Sequence, residues 1–173
     1  MALYEFNGIK PRVDASSYIH PSAVLIGDVV VGPQCYIGPH ASLRGDFGAI
    51  VVEAGSNIQD GCVLHVGIKA ICRLGVDCHI GHGAIVHGAQ LERNCMIGMN
   101  AVVMDDAVIG EGAIVAACAF VKAGFRVPAG MLLAGVPGRL VRQLNDADIA
   151  AKSVGTRLYQ ALAADCLRTL RAI

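Results

Sequence analysis

The chain has 173 residues, with 14 Lys+Arg balancing 14 Asp+Glu, which is the length of one domain and lacks the basic surplus that follows a phosphate backbone, so nucleic acid is a poor partner. Its apolar residues, 54% of the total, are spread along the chain with no run long enough to span a bilayer, and residues 1–18 lack the charged start and apolar block of a signal peptide. Seven cysteines, odd in number and without a Cys-x-x-Cys pair, fit a reducing cytoplasm.

From Ile19 onward every sixth residue is aliphatic: Ile19, Leu25, Val31, Ile37, Leu43. Four places after most of these sits a small or slim side chain, at Ala23, Val29, Cys35 and Ala41. The phase persists with shifts through Val52, Ile58 and Leu64, then Leu74, Ile80 and Val86, as a three-residue insertion before Val52 and a four-residue one after Leu64 require. It then runs unbroken through Leu91, Ile97, Val103, Ile109, Val115, Val121 and Val127, with Cys95, Ala101, Ala107, Ala113, Ala119 and Phe125 at the fourth places.

A period of six rich in β-branched residues fits neither a helix of period 3.6 nor a stack of hairpins. It predicts a solenoid in which each hexapeptide forms one side of a triangular prism, three form a coil, and stacked coils bury a continuous aliphatic interior. About eighteen repeats predict roughly six coils over residues 11–138. Cys35, Cys62, Cys78 and Cys95 occupy the small-residue place and are expected as interior fillers.

Past residue 128 the period changes. Pro128, Pro137 and three glycines predict an exit loop, and Asn145-Asp146 predicts a helix start. Gly155-Thr156 interrupts the pattern, so residues 145–173 are expected as a short helix and then a longer one with Leu158, Leu162 and Leu170 on one side, docked along a prism face.

The register also orders the polar residues. His65 follows Leu64 and His87 follows Val86, so the two stand one coil apart in one column, about 5 Å from each other. His82 is second after Ile80 and lies on another side of the prism. A threefold trimer would bring a neighbour's His82 to the His65–His87 pair, and three neutral imidazoles with an open fourth position are the ligand set of a hydrolytic zinc, whose bound water has a pKa near 7. Iron or cobalt suits the same ligands. Arg44 falls in the His65 column, Asp46 lies beside it, Gln59 and Asp60 follow Ile58 in the column of Ile80, and Asp60 underlies His82. In this arrangement Arg44 would hold an anionic product or pair with Asp46 across the interface, and the Gln59 amide would orient the hydroxide. His20, His40 and His79 are expected as satisfied surface or turn residues.

The whole repeat region resembles the hexapeptide-repeat superfamily, which implies an all-β, left-handed parallel β-helix with a C-terminal α-helix, assembled as a trimer. The stretches Ala41–Asp46, Asn57–Asp60 and Gly81–Gly88 resemble γ-class carbonic anhydrases. That resemblance implies zinc bound by His65 and His87 of one chain and His82 of the next, with Arg44, Asp46, Asn57 and Gln59 as further site residues and Tyr159 as a site tyrosine. Gly98–Asp105, Phe120–Ala123 and the Gly155–Gln160 stretch resemble the PaaY and CaiE subgroup and place Asn100 with Asn57 and Tyr159 among the substrate-binding candidates. Residues 66–73 lack the glutamate-bearing loop of the archetypal carbonic anhydrase.

The expectation is therefore a homotrimeric zinc hydrolase with its sites at subunit interfaces, in which the metal hydroxide attacks the carbonyl of an acyl-CoA thioester. The alternatives are reversible hydration of carbon dioxide to bicarbonate, acyl transfer from coenzyme A with a histidine base and no metal, and a non-catalytic accessory of carnitine metabolism.

Overall fold

A computed structural model describes residues 2–173. Eighteen aliphatic positions carry the period of six, and all of them, from Ile19 to Val127, are buried. They lie in vertical columns, because each strand pairs in parallel with its counterpart one coil away: Ile37 with Ile58, Ile58 with Ile80, Ile80 with Ile97, Ile97 with Val115. Side chains alternate across a strand, so placing one residue of each short strand inside places its neighbours outside. Burying these aliphatics is the main stabilisation, and no coil buries its own without the next.

Each column has seven rungs rather than six. The extra ones come from Leu3, which pairs with Leu25, from Val13, which pairs with Val31, and from Leu133, which pairs with Val115. The bridge between Phe6 and Ile9 interrupts the phase after Leu3, which hides the first coil from a reading based on period alone. The two insertions are extruded at the edge of the prism: the strand Ser42–Val52 shifts register against Val24–Val31, and the chain turns through Lys69 before pairing resumes at Ile71.

The four cysteines at the small-residue place are fully buried thiols. Their sulfurs face backbone carbonyls, as Cys62 does Gly81 O at 3.1 Å. Burial pushes the Cys35 and Cys62 thiols up to about 11, so they stay protonated and unreactive.

Two expectations about the tail are corrected. The exit segment is an antiparallel strand pair, Met131–Ala134 with Arg139–Gln143, and the helix is continuous from Asp146 to Thr169. Asn145 caps it, with Asp148 completing the capping box. Gly155 does not break it, and the helix passes over the His79 ring there, where a Cβ would make ordinary van der Waals contact at 3.6 Å. The helix does dock on a prism face, but with the opposite side inward. Lys152, Thr156 and Ala163 are buried, and Tyr159 and Cys166 pack with Ala163 on Tyr18 and Tyr36. Leu158, Leu162 and Leu170 are 65%, 40% and 49% exposed.

Candidate metal and substrate site

The strands Val63–His65 and Ile85–His87 pair with His87 opposite His65. Leu64 and Val86 point into the prism, so the residues after them point out. The two rings stand 5.1 Å apart between centroids, and His65 Nδ1 faces His87 Nε2 at 3.1 Å.

Each outer nitrogen meets a carboxylate. His65 Nε2 lies 3.0 Å from Asp46 Oδ1, and His87 Nδ1 lies 2.7 Å from Asp105 Oδ1. Arg44 Nη1 donates to the other Asp46 oxygen at 3.1 Å. Sequence reasoning misses Asp105, although the register holds its signal. Val86 pairs with Val103, which sets Asp105 one rung from Gly88, and a Cβ on Gly88 would fall 2.5 Å from Asp105 Oδ1. The glycine opens the path from that carboxylate to His87.

When both imidazoles donate their outer N–H to the carboxylates, the lone pairs of both inner nitrogens face each other. Two facing lone pairs at this distance repel unless a cation or proton lies between them. Zn–N bonds of ~2.0–2.1 Å in a tetrahedron set ligand nitrogens about 3.3 Å apart, close to the observed spacing, so the donor set fits a zinc-like cation. The pair alone supplies two donors. Among the described residues of one chain, no group of three His, Cys, Asp or Glu is placed to hold a metal.

His82 stands on the neighbouring side, with Ile80 over Ile58. Its Nδ1 lies 2.7 Å from Asp60 Oδ2, and its Nε2 is 3.5 Å from the Tyr159 hydroxyl. All three candidate ligands thus have one nitrogen on an aspartate and the other turned away from it.

The remaining candidates fall into two groups. Asn57 and Gln59 are buried beneath the helix, where Gln59 Nε2 donates to Asn57 Oδ1 at 3.0 Å and contacts His79 Nε2 at 2.7 Å. The Gln59 amide nitrogen is therefore committed to a local network and not turned to the His65–His87 pair. Asn100 is an exposed corner residue in the left-handed region, whose N–H donates to His82 O at 2.9 Å. Tyr159 packs on Tyr36 and His79, and burial and the Asp60 charge raise its phenol.

His79, expected as a surface or turn residue, lies under the helix, held by Asn57 and Gln59. Burial, reinforced by the charges of Lys152 and His82, lowers it to about 4. Lys152, itself buried, donates to Asp77 O and to Asn94 Oδ1, and burial brings it down to about 8.

Fold and site together define a parallel β-solenoid of hexapeptide repeats with a facing pair of histidines on its surface. Residues 88–123 match the family described as bacterial transferase hexapeptide (six repeats). Over 170 residues the chain is 51% identical to the carnitine operon protein CaiE of Escherichia coli O81 (strain ED1a), covering 98% of this chain and 87% of CaiE. The solved hexapeptide transferase family protein from Anaplasma phagocytophilum superposes with a TM-score of 0.89 at 35% identity, over 94% of this chain and 96% of that one. AntD, an N-acyltransferase from Bacillus cereus solved with dTDP and 3-hydroxybutyryl-CoA, shares the fold alone, at TM-score 0.68 and 16% identity over 90% of each chain. The chain belongs to the hexapeptide-repeat family, in its CaiE group.

The relatives' names speak of a carnitine operon and of a hexapeptide transferase family. They favour the CaiE-like and transferase alternatives over the hydrolase placed first from the sequence. No helix among the described residues is long and apolar enough to cross a membrane.

Proposed function

We propose that this CaiE-type protein acts on acyl-CoA esters at a divalent-metal site shared between copies of the chain, with zinc as the first candidate. One observation carries the reading: two imidazole nitrogens face each other at 3.1 Å, with carboxylates on their far sides. His82, held by Asp60 in the same manner, is the third ligand, supplied by a neighbouring copy in a trimer. Exposed apolar side chains near the pair, Phe47, Ile71 and Ile85, support a subunit contact there.

A bound metal of this kind supplies Lewis acidity toward water and toward the ester carbonyl. The chain's own residues do the rest. Asp46, Asp105 and Asp60 fix the imidazole tautomers. Arg44, 44% exposed at its side chain and anchored on Asp46, offers its free guanidinium edge to an anionic group of substrate or product. Tyr159 presents its hydroxyl beside His82.

Acyl transfer is the second reading, favoured by the transferase names of the solved relatives. The test is metal content and oligomer mass of the purified protein, followed by assay with acyl-CoA alone, with acyl-CoA plus amine or alcohol acceptors, and with carbon dioxide. Metal-dependent release of free coenzyme A without acceptor supports hydrolysis. Release that needs an acceptor and survives chelation replaces it with transfer. A metal-free, fully active protein would remove the metal reading.

A further inference from the structure

Beside His82 the prism face carries a cavity of about 270 Å³. Its wall is the outward column formed by His79, Met96 and Ile114 on three successive rungs, with Met99 and Ala116 along the edge and Tyr159 of the helix closing one side. The helix leaves this part of the face open because it packs on the lower rungs, at Tyr18 and Tyr36. The floor stays low because successive coils approach closely: a Cβ on Gly98 would collide with the backbone nitrogen of Ala117. That constraint accounts for Gly98 as coil architecture. It does not account for the apolar column above it, which remains partly exposed beside the polar groups of the site.

We infer that this cavity takes the acyl arm of the ester substrate, as a short, uncharged aliphatic chain, an inference that rests on the acyl-CoA reading of the site. Three features select that occupant. The cavity opens next to His82 and the Tyr159 hydroxyl, so a chain lying in it delivers its carbonyl to the groups proposed to act on it. Methionine, isoleucine and alanine line it, and flexible methionines adapt to a methylene chain. A cationic arm has no counter-charge here: no carboxylate lines the cavity, and Tyr159 is the one aromatic face in the wall outside the histidines among the described residues. The volume lies just below the range of pockets for whole drug-sized ligands, which suits a short chain and leaves the coenzyme outside.

The experiment is calorimetric titration of the metal-free protein with acetyl-CoA, hexanoyl-CoA, palmitoyl-CoA and 4-(trimethylammonio)butanoyl-CoA. Hexanoyl-CoA is expected to bind about tenfold or more tightly than acetyl-CoA, with no further gain for palmitoyl-CoA and no preference for the quaternary ammonium. Ala116→Leu fills the cavity and should erase the hexanoyl advantage; Ala117→Leu, at an exposed edge of the same cavity, does so if the first variant misfolds. Equal binding of acetyl and hexanoyl esters, tighter binding of the cationic ester, or a hexanoyl advantage that survives both variants overturns the proposal. The titration contains no metal, so its failure leaves the metal reading to stand or fall on metal content, while loss of metal with the chain-length effect intact separates the two in the other direction.

Discussion

His65 and His87 are held one coil apart with two imidazole nitrogens 3.1 Å from each other and an aspartate behind each ring. The stacking of coils sets the spacing of the rings, and on the proposed reading the carboxylates behind them would orient the pair toward a cation.

If a neighbour's His82 completes the site, single variants His65→Ala, His87→Ala and His82→Ala each lose most of the bound metal. Co-refolding His65→Ala chains with His82→Ala chains in equal amounts should restore about a quarter of it, because an intact pair then meets an intact His82 at about one interface in four. Metal per chain by mass spectrometry reads this. No recovery in the mixture would mean that the three histidines do not meet across a subunit boundary.

Asp105→Asn keeps the shape of the side chain but removes the negative charge behind His87. Metal affinity should fall about 10–100-fold with the thermal midpoint of the metal-free protein nearly unchanged. Competition with a chromogenic chelator measures it, and an unaltered constant would assign Asp105 to the surface.

His79 should make the protein acid-sensitive. Its ordinary value is 6.5 and burial in the folded state brings it to about 4, so between these values the unfolded chain binds the extra proton. Stability contributed by this group is complete above pH 6.5 and is lost as the pH falls through the window toward 4, by an amount on the order of 3 kcal/mol. Denaturant unfolding across that range should show a shallower slope for His79→Gln than for the natural chain.

Leu64 is fully buried at the rung immediately before His65. Leu64→Ala should cost about 2–5 kcal/mol and loosen the metal site with it, as unfolding and metal titration on the same sample would show. A loss of stability without a change in metal affinity would uncouple the interior from the half-site.

The columns are legible because solenoid geometry repeats: once Leu64 and Val86 are assigned to one column, the neighbouring His65 and His87 follow without any long-range information. The same arithmetic puts Asp60 beneath His82. It fails where the chain leaves the repeat. The first rung at Leu3 is separated from the next by an irregular segment around Phe6 and Ile9. The helix pattern can be read with either side inward, and the aliphatic stripe of Leu158 and Leu162 suggests the wrong one, because the surface it meets is aromatic, Tyr18 and Tyr36, and is matched by Ala163 and Tyr159. His79 looks like a turn residue because nothing in its own coil announces that a helix 75 residues further on, through Lys152 and Asp77, crosses above it.

The two extrusions, around Phe47 and Lys69, flank the same rung as His65. In a stack whose turns mostly keep their length to stay in phase, such corners are places where residues can be gained or lost without disturbing the rows above and below. The rim around His65 and His87 is therefore built from the part of the molecule freest to vary, over a foundation that cannot.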